Sequence, residues 1–303
     1  MKLGATKKQN SGTLSARLRR FIYTYSYLFP ATTALLLVTI FPTVYMIYLS
    51  ISQWKAFLLD HPLVGVTNFV NLFSLANFYN SLRVSAEFVA LTVTFSILFG
   101  LVLALTLNQN LRGTNVFRAI IILPFTIAPI ITGFTWRYLF DSNQGLVGAF
   151  ILPSLGIHIG SILGNPLNAL IAVVFVDVWT KAPFMFLIIL AGLQGISPSL
   201  YRAAKIDGAG ALSSFRHITL PLLRKVLIIA VILKVIDSVN AFDQIYVMTR
   251  GGPGNATQVL GIHGYLIAFS SSDIGQASAL GVIMVIISVV AITFLIRVYN
   301  KAT

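Results

Sequence analysis

Apolar residues dominate six stretches of the chain, near 25–49, 84–107, 116–139, 169–193, 223–248 and 277–298. Each is long enough to cross a hydrocarbon layer of about 30 Å as a helix. Between them lie polar segments containing Gly, Asn, Ser and Pro, at 50–83, 140–168 and 249–276, and the first has room for a short helix at the membrane interface. Pro30 and Pro42 fall in the first stretch, Pro124 and Pro129 in the third, and Pro183 in the fourth. Kinks are expected there, because proline frees a carbonyl that a neighbouring helix or hydroxyl must satisfy. The pattern predicts an all-α integral membrane protein without internal repeats.

Composition agrees. The 303 residues are 57% hydrophobic and 10% charged, with a mean hydropathy of +0.87, whereas soluble domains carry about a quarter charged residues. So much apolar side chain needs the bilayer as its solvent. The first stretch is too long for a signal-peptide core and has no small-residue cleavage site, so it reads as a retained anchor. The chain divides into a basic cytoplasmic tail, 1–24, and a membrane domain, 25–303.

The net charge of +13 would suggest nucleic acid on a soluble chain, but its placement argues for topology instead. With the N-terminus inside, cytoplasmic segments hold Lys2, Lys7, Lys8, Arg17, Arg19, Arg20, Arg112, Arg118, Arg202, Lys205, Arg216, Arg224, Lys225, Arg297 and Lys301. External segments hold only Lys55, Arg83, Arg137 and Arg250, so the ratio is 15 to 4. Basic residues in short loops stay inside, which predicts N-in, C-in topology, attraction to anionic lipid and no nucleic-acid partner. The chain has no cysteine, and its histidines (His61, His158, His217, His263) are too scattered to form a metal-ligand motif. There is no phosphate-binding GxxxxGK[ST] loop and no nucleophile–base–orienter set. The sequence therefore implies no catalytic residue, no metal and no cofactor bound by this chain. Uphill transport would need an ion gradient or a separate energy-supplying subunit.

The most patterned cytoplasmic segment runs over 197–221. Ser197 followed by Pro198 is a helix start, and Gly208 is a left-handed stop. A second short helix is expected over 212–217, with Thr219 and Pro221 launching the fifth span as a new cap and proline. Ala203, Ala204, Gly208 and Ala209 are small enough for another protein surface to approach closely. Taken alone, this is either an amphipathic loop resting on the membrane or a docking element.

Ionisable groups inside spans are costly and are functional candidates by default. Asp177 and Lys181 stand four apart in the fourth span, a favourable helical pairing. In the fifth, Lys234, Asp237, Asn240 and Gln244 recur at helical spacing, with Asp243 beside Gln244. Amides and carboxylates near Trp179, Phe242 and Tyr246 suit a transient sugar site, since saccharides take hydrogen bonds and stack on aromatic faces. The same charges also suit neutral pairs that lock helices together. In the last span Gly275, Ala277, Ala279 and Gly281 suit close helix packing.

Tyr201, Arg202, Ala203, Ala204, Lys205, Ile206, Asp207, Gly208 and Ala209 in succession, then Phe215 and Ile218 to Leu223, closely resemble the "EAA" loop of binding-protein-dependent ABC importer permeases. The likeness covers nearly the whole chain. Gly113 to Arg118 with Leu123 and Pro124 is similar to the family's third-span entry. Thr249 to Thr257, with Tyr265, Ala268 and Phe269, resembles its carbohydrate branch, the maltose- and glycerol-phosphate-type permeases. Two positions depart from the pattern: Arg202 replaces the usual Glu and Lys225 a common proline. The Arg202 departure puts one contact to the ATPase in doubt, and a partner permease carrying the Glu could compensate.

The resemblance implies a type I importer permease fold with six transmembrane helices in a bacterial-type inner membrane. It implies a second homologous permease, two ATPase subunits that use ATP with magnesium, an extracytoplasmic solute-binding protein and a sugar or sugar-like solute. The loop would then couple to the ATPase through Tyr201, Arg202, Ala203, Ala204, Asp207, Gly208, Ala209 and Phe215. Asp177, Trp179, Lys181, Asp237, Asn240, Asp243, Gln244 and Tyr246 would border the solute path. The alternative is an ion-gradient-driven secondary transporter with Asp177 or Asp237 as a relay. Against it, no two halves carry broken helices in matching positions.

Overall fold

The computed structural model describes residues 13–55, 57, 59–109, 113–157 and 160–301. Lys2, Lys7, Lys8, Arg112 and His158 lie outside these residues. Among the described residues the regular structure is helical, with only isolated bridges pairing Ser52 with Leu63 and Lys55 with Asp273.

The first helix, α1 (Thr13–Leu35), starts inside the basic tail rather than at residue 25. It continues through a π turn (Leu36–Ile40) into α2 (Phe41–Ser50). Pro42, which has no N–H to donate, follows that widened turn directly. α3 (Thr67–Ser74) is the short helix in the first polar segment, 50–83. It is pinned by Asn68, whose Nδ2 donates to the Ser50 and Ser52 carbonyls, both at 2.9 Å. Then comes α4 (Ala76–Leu107).

The third apolar stretch is two helices, α5 (Thr114–Thr126) and α6 (Pro129–Leu139), bent by 94°. The expected kink is a full break because the Pro129 ring pushes the residue before it out of the helical region. Ala128 has ψ 136°, and Ile127 is already extended at ψ 133°. A π turn (Leu146–Ile151) and the short α7 (Leu152–Ser154) follow, then α8 (Pro166–Gln194), which Asn165 caps by accepting from the Leu167 and Asn168 N–H groups. After α9 (Pro198–Ile206) and α10 (Ala211–Ser214), α11 (Leu220–Val239) ends at Asn240, and α12 (Asp243–Thr249) is a separate helix. The stretch 223–248 is therefore not one continuous span. α13 (Leu260–Tyr265) precedes α14 (Ile274–Lys301).

Among the described residues four segments are long and apolar enough to cross a membrane: Tyr25–Ser50, α4, α8 and α14. The bent α5–α6 pair makes a fifth if it counts as one span. α11 is more polar because it carries Arg224, Lys225, Lys234 and Asp237.

α8 is the hub, with 67% of its most apolar window buried, against 6% for Tyr25–Ser50 and 11% for α14. It packs on α4, α5, α11 and α12, while α14 packs on α2, α3 and α11. In lipid, burying apolar surface does not by itself join helices; close packing and hydrogen bonds do. At Gly100 of α4 a Cβ would sit 2.8 Å from Met185 Cβ of α8, so glycine sets how closely these helices approach. Gly275 does the same at the start of α14, where a Cβ would meet the Ser52 carbonyl oxygen. Thr92 and Ser238 join α4 to α11 through their hydroxyls at 3.0 Å. Arg118 donates to the Leu107 carbonyl at the end of α4 at 2.6 Å, placing a cation at a helix C-terminus.

Candidate functional site

The 197–221 segment forms α9 (Pro198–Ile206), opened by Ser197, whose hydroxyl accepts from the Ser199 N–H at 3.4 Å. Gly208 turns left-handed at φ +80°. Its N–H donates to the Lys205 carbonyl at 3.2 Å and that of Ala209 to the Ala204 carbonyl at 2.8 Å. This is the doubly bonded helix stop that glycine favours.

The next element differs from expectation. α10 (Ala211–Ser214) passes through a π turn (Phe215–Thr219) straight into α11. Thr219 is helical (φ −65°, ψ −55°) and makes no capping bond, so it does not start a helix. Pro221 would clash with the carbonyl one turn back, and the π turn widens the backbone there instead of ending the helix.

Arg202, Ala203, Asp207 and Gly208 are exposed, while Tyr201, Ala204, Ala209 and Phe215 are half-buried. Beside the Gly208 turn stand two bare apolar side chains, Ile206 at 86% and Leu212 at 79% exposure. The sequence reading passed over both. Their signal is a pair of large aliphatics, one between Lys205 and Asp207 and one among small residues, on either side of a tight turn.

The second constellation joins α8, α11 and α12. Asp177 and Lys181 do not pair along their own helix. Lys181 Nζ reaches Asp237 Oδ1 at 2.9 Å, and Lys234 Nζ lies 2.6 Å from Asp177 Oδ2 and 2.9 Å from Asp237 Oδ2. Lys234 is fully buried between the two carboxylates. The packing of α11 on α8 gives Asp177 and Lys181 partners on the other helix, while Lys234 and Asp237 also pair along α11. Lys181 also stands 5.9 Å from the centre of the Phe125 ring. The break after α11 turns Gln244 back toward α8, where its Nε2 donates to Asp177 Oδ1 at 3.0 Å. Gln244 Oε1 is buried without a partner. Asn240 Nδ2 donates only to the Ile236 carbonyl, at 2.8 Å, and Asp243 is exposed at the start of α12. The polar residues do not form a stripe along one helix.

Asp177, Lys181, Asp237, Asn240, Asp243 and Gln244 nonetheless line one cavity of about 420 Å³, with Pro129 and Phe242. Trp179 and Tyr246 lie elsewhere. Each is two residues beyond a cavity residue, which on a helix is about 200° round the axis. Trp179 lines an apolar cavity of about 580 Å³ with Phe99, Phe175 and Pro183, edge-on to Trp136. Tyr246 packs on Phe242 and Tyr265. A buried polar group missed from the sequence joins His263 Nδ1 to Ser81 Oγ at 3.1 Å and Gln258 Nε2 at 3.0 Å. Among the described residues no cluster of three His, Cys, Asp or Glu could hold a metal ion.

The cavity offers fixed hydrogen-bonding groups of both senses in a largely apolar bundle, with lysines and carboxylates already paired. Such a lining suits a polyhydroxylated solute better than a bond-breaking reaction.

The family model described as "Binding-protein-dependent transport system inner membrane component" matches residues 96–303. The trehalose/maltose transport system permease protein MalF of Thermococcus litoralis is 37% identical over 292 residues, 96% of this chain and 97% of that protein. The inner membrane ABC transporter permease protein YcjO of Escherichia coli is 33% identical over 231 residues, 76% and 77% of the two chains. Among solved structures, a bacterial ABC transporter that imports the acidic polysaccharide alginate shares the fold. It gives a TM-score of 0.82 at 22% identity, over 96% of this chain and 99% of that one. A second structure of a bacterial alginate transporter, in complex with a periplasmic protein carrying an alginate pentasaccharide, gives 0.81 at 20% identity over 93% and 95%. The chain belongs to the family of inner membrane components of binding-protein-dependent transport systems.

Proposed function

We propose that this chain is the transmembrane permease subunit of an ATP-driven ABC importer and forms half of the translocation path for a sugar or sugar-like solute. The observation that carries the reading is the near-full-length identity to a trehalose/maltose permease. The polar cavity between α8, α11 and α12 supports it. Six crossings (Tyr25–Ser50, α4, α5–α6, α8, α11–α12 and α14) with both termini inside agree with the 15-to-4 distribution of basic residues.

In this reading α9 and the Gly208 turn dock on a separate ATPase, with Ile206 and Leu212 as apolar contacts beside the small residues. Two ATPase subunits, a second permease and an extracytoplasmic binding protein complete the complex; the alginate transporter crystallised with its periplasmic protein supports the last of these. ATP closes the ATPase pair, α9 moves with it, and the helices rock so that the cavity opens outward to receive solute. Hydrolysis reverses the motion. An ion-gradient relay fits less well, since Asp177 and Asp237 are both held by lysines rather than free to exchange an ion.

Purifying the tagged chain from its membrane tests this assignment. An ATPase and a second permease should co-purify, and the complex should hydrolyse ATP faster with loaded binding protein. A chain that purifies alone under mild detergent would contradict it.

A further inference from the structure

α9 buries none of its own side chains, yet a helix that transmits movement must be tied to what it moves. The backbone connection to α10 runs through Gly208 and Gly210, and a Cβ at either would meet nothing within 4 Å, so no neighbouring element braces the turn there. Ser197 and Ser199 bond to each other within the first turn. Among the described residues, one side-chain hydrogen bond leaves α9 for another element, from Tyr201 Oη to Thr219 Oγ1 at 2.9 Å.

Thr219 is 4% exposed and closes the π turn, where its hydroxyl also lies 3.4 Å from the Ser214 carbonyl. A π turn beside a proline is already widened and short of a donor, so a small displacement there costs less than in a regular helix. From Thr219, α11 continues as regular helix for about 22 Å to Lys234, whose ammonium binds the two cavity carboxylates.

We propose that the Tyr201–Thr219 hydrogen bond is the link that passes displacement of α9 into α11 and so to the ion pairs of the cavity. The two are positioning residues for coupling, touching neither solute nor nucleotide. The proposal rests on the importer reading above.

The test uses the assembled complex in proteoliposomes with internal ATP and radiolabelled maltose and trehalose as probes. The parent is compared with Tyr201→Phe, Thr219→Val, the double variant and Thr219→Ser. Melting temperature and the amount of co-purified ATPase are measured alongside. Thr219→Val, at a buried position outside the docking loop's contact set, should assemble fully and still hydrolyse ATP. Solute moved per ATP should fall about 3- to 10-fold, the scale of losing one neutral hydrogen bond. The double variant should be no worse than either single one, and Thr219→Ser should recover the parent ratio. A ratio within twofold of the parent in both single variants would overturn the link. Loss of ATPase from the Tyr201→Phe complex would overturn it too, because Tyr201 would then be a docking contact. A parent chain that binds no ATPase and accumulates neither sugar would overturn the importer reading, and the proposal with it.

Discussion

Replacing Lys234 with methionine keeps the length of the side chain and removes its charge. The ammonium is fully buried, 2.6 Å from Asp177 and 2.9 Å from Asp237. At an effective dielectric constant of about 20, unit charges at such distances attract by about 6 kcal/mol. Both partners gave up water to form the pair, so that figure is gross rather than net. What decides the outcome is the carboxylate left behind. Asp177 is 1% exposed and would keep only the Gln244 amide as a donor. Asp237 suffers less, because Lys181 stays at 2.9 Å and its side chain is 36% exposed.

Stranding one buried charge costs about 3–5 kcal/mol. At about 2–4 °C per kcal/mol, the detergent-solubilised Lys234→Met protein should unfold about 10 °C below the parent. Adding Asp177→Asn should recover most of the loss, since no unpaired ion remains. Differential scanning fluorimetry on the parent, the single and the double variants reads this directly. A fall of less than about 2 °C for Lys234→Met, or a double variant no better than the single, would refute the reasoning.

Gly208→Val forces a branched side chain to φ +80° at a cost of about 1–3 kcal/mol. The space around it is open, so the protein should still insert and assemble while ATP-driven uptake is lost; normal uptake would remove the turn from the docking role. Gly100→Leu drives side-chain atoms into Met185 and Phe186, and the yield of monodisperse protein on gel filtration should collapse. Gln244→Ala removes a donor to Asp177, whereas Asn240→Ala removes only a bond to its own helix. The first should weaken uptake at least several-fold more than the second, and equal kinetics would make both residues packing. Trp179→Ala should leave the concentration dependence of uptake unchanged, because its ring lies outside the polar cavity.

The apolar runs made the membrane class legible, because a hydrocarbon layer leaves helices few lengths to choose from. Pro129 marked a kink in the sequence. Its depth depended on Ile127 also leaving the helical region, which the flanking helices decide. Thr219 and Pro221 imitate a helix start, but regular helix on both sides carried the chain through as a π turn. Spacing along α8 suggested the Asp177–Lys181 pair, and only the placement of α11 shows that Lys234 and Asp237 offer closer charges. The displacement of Trp179 and Tyr246 was readable in advance. Each stands two residues from a cavity residue, and two residues on a helix point to nearly opposite faces. Arg202, one of the two positions at which the resemblance breaks, is exposed on α9.

The most direct test of the importer assignment is uptake of labelled maltose and trehalose into proteoliposomes holding either this chain alone or the full complex. The complex, supplied with loaded binding protein outside and ATP with magnesium inside, should accumulate one of the sugars, and the chain alone should accumulate neither under any imposed proton or sodium gradient. Gradient-driven accumulation by the chain alone would contradict the assignment.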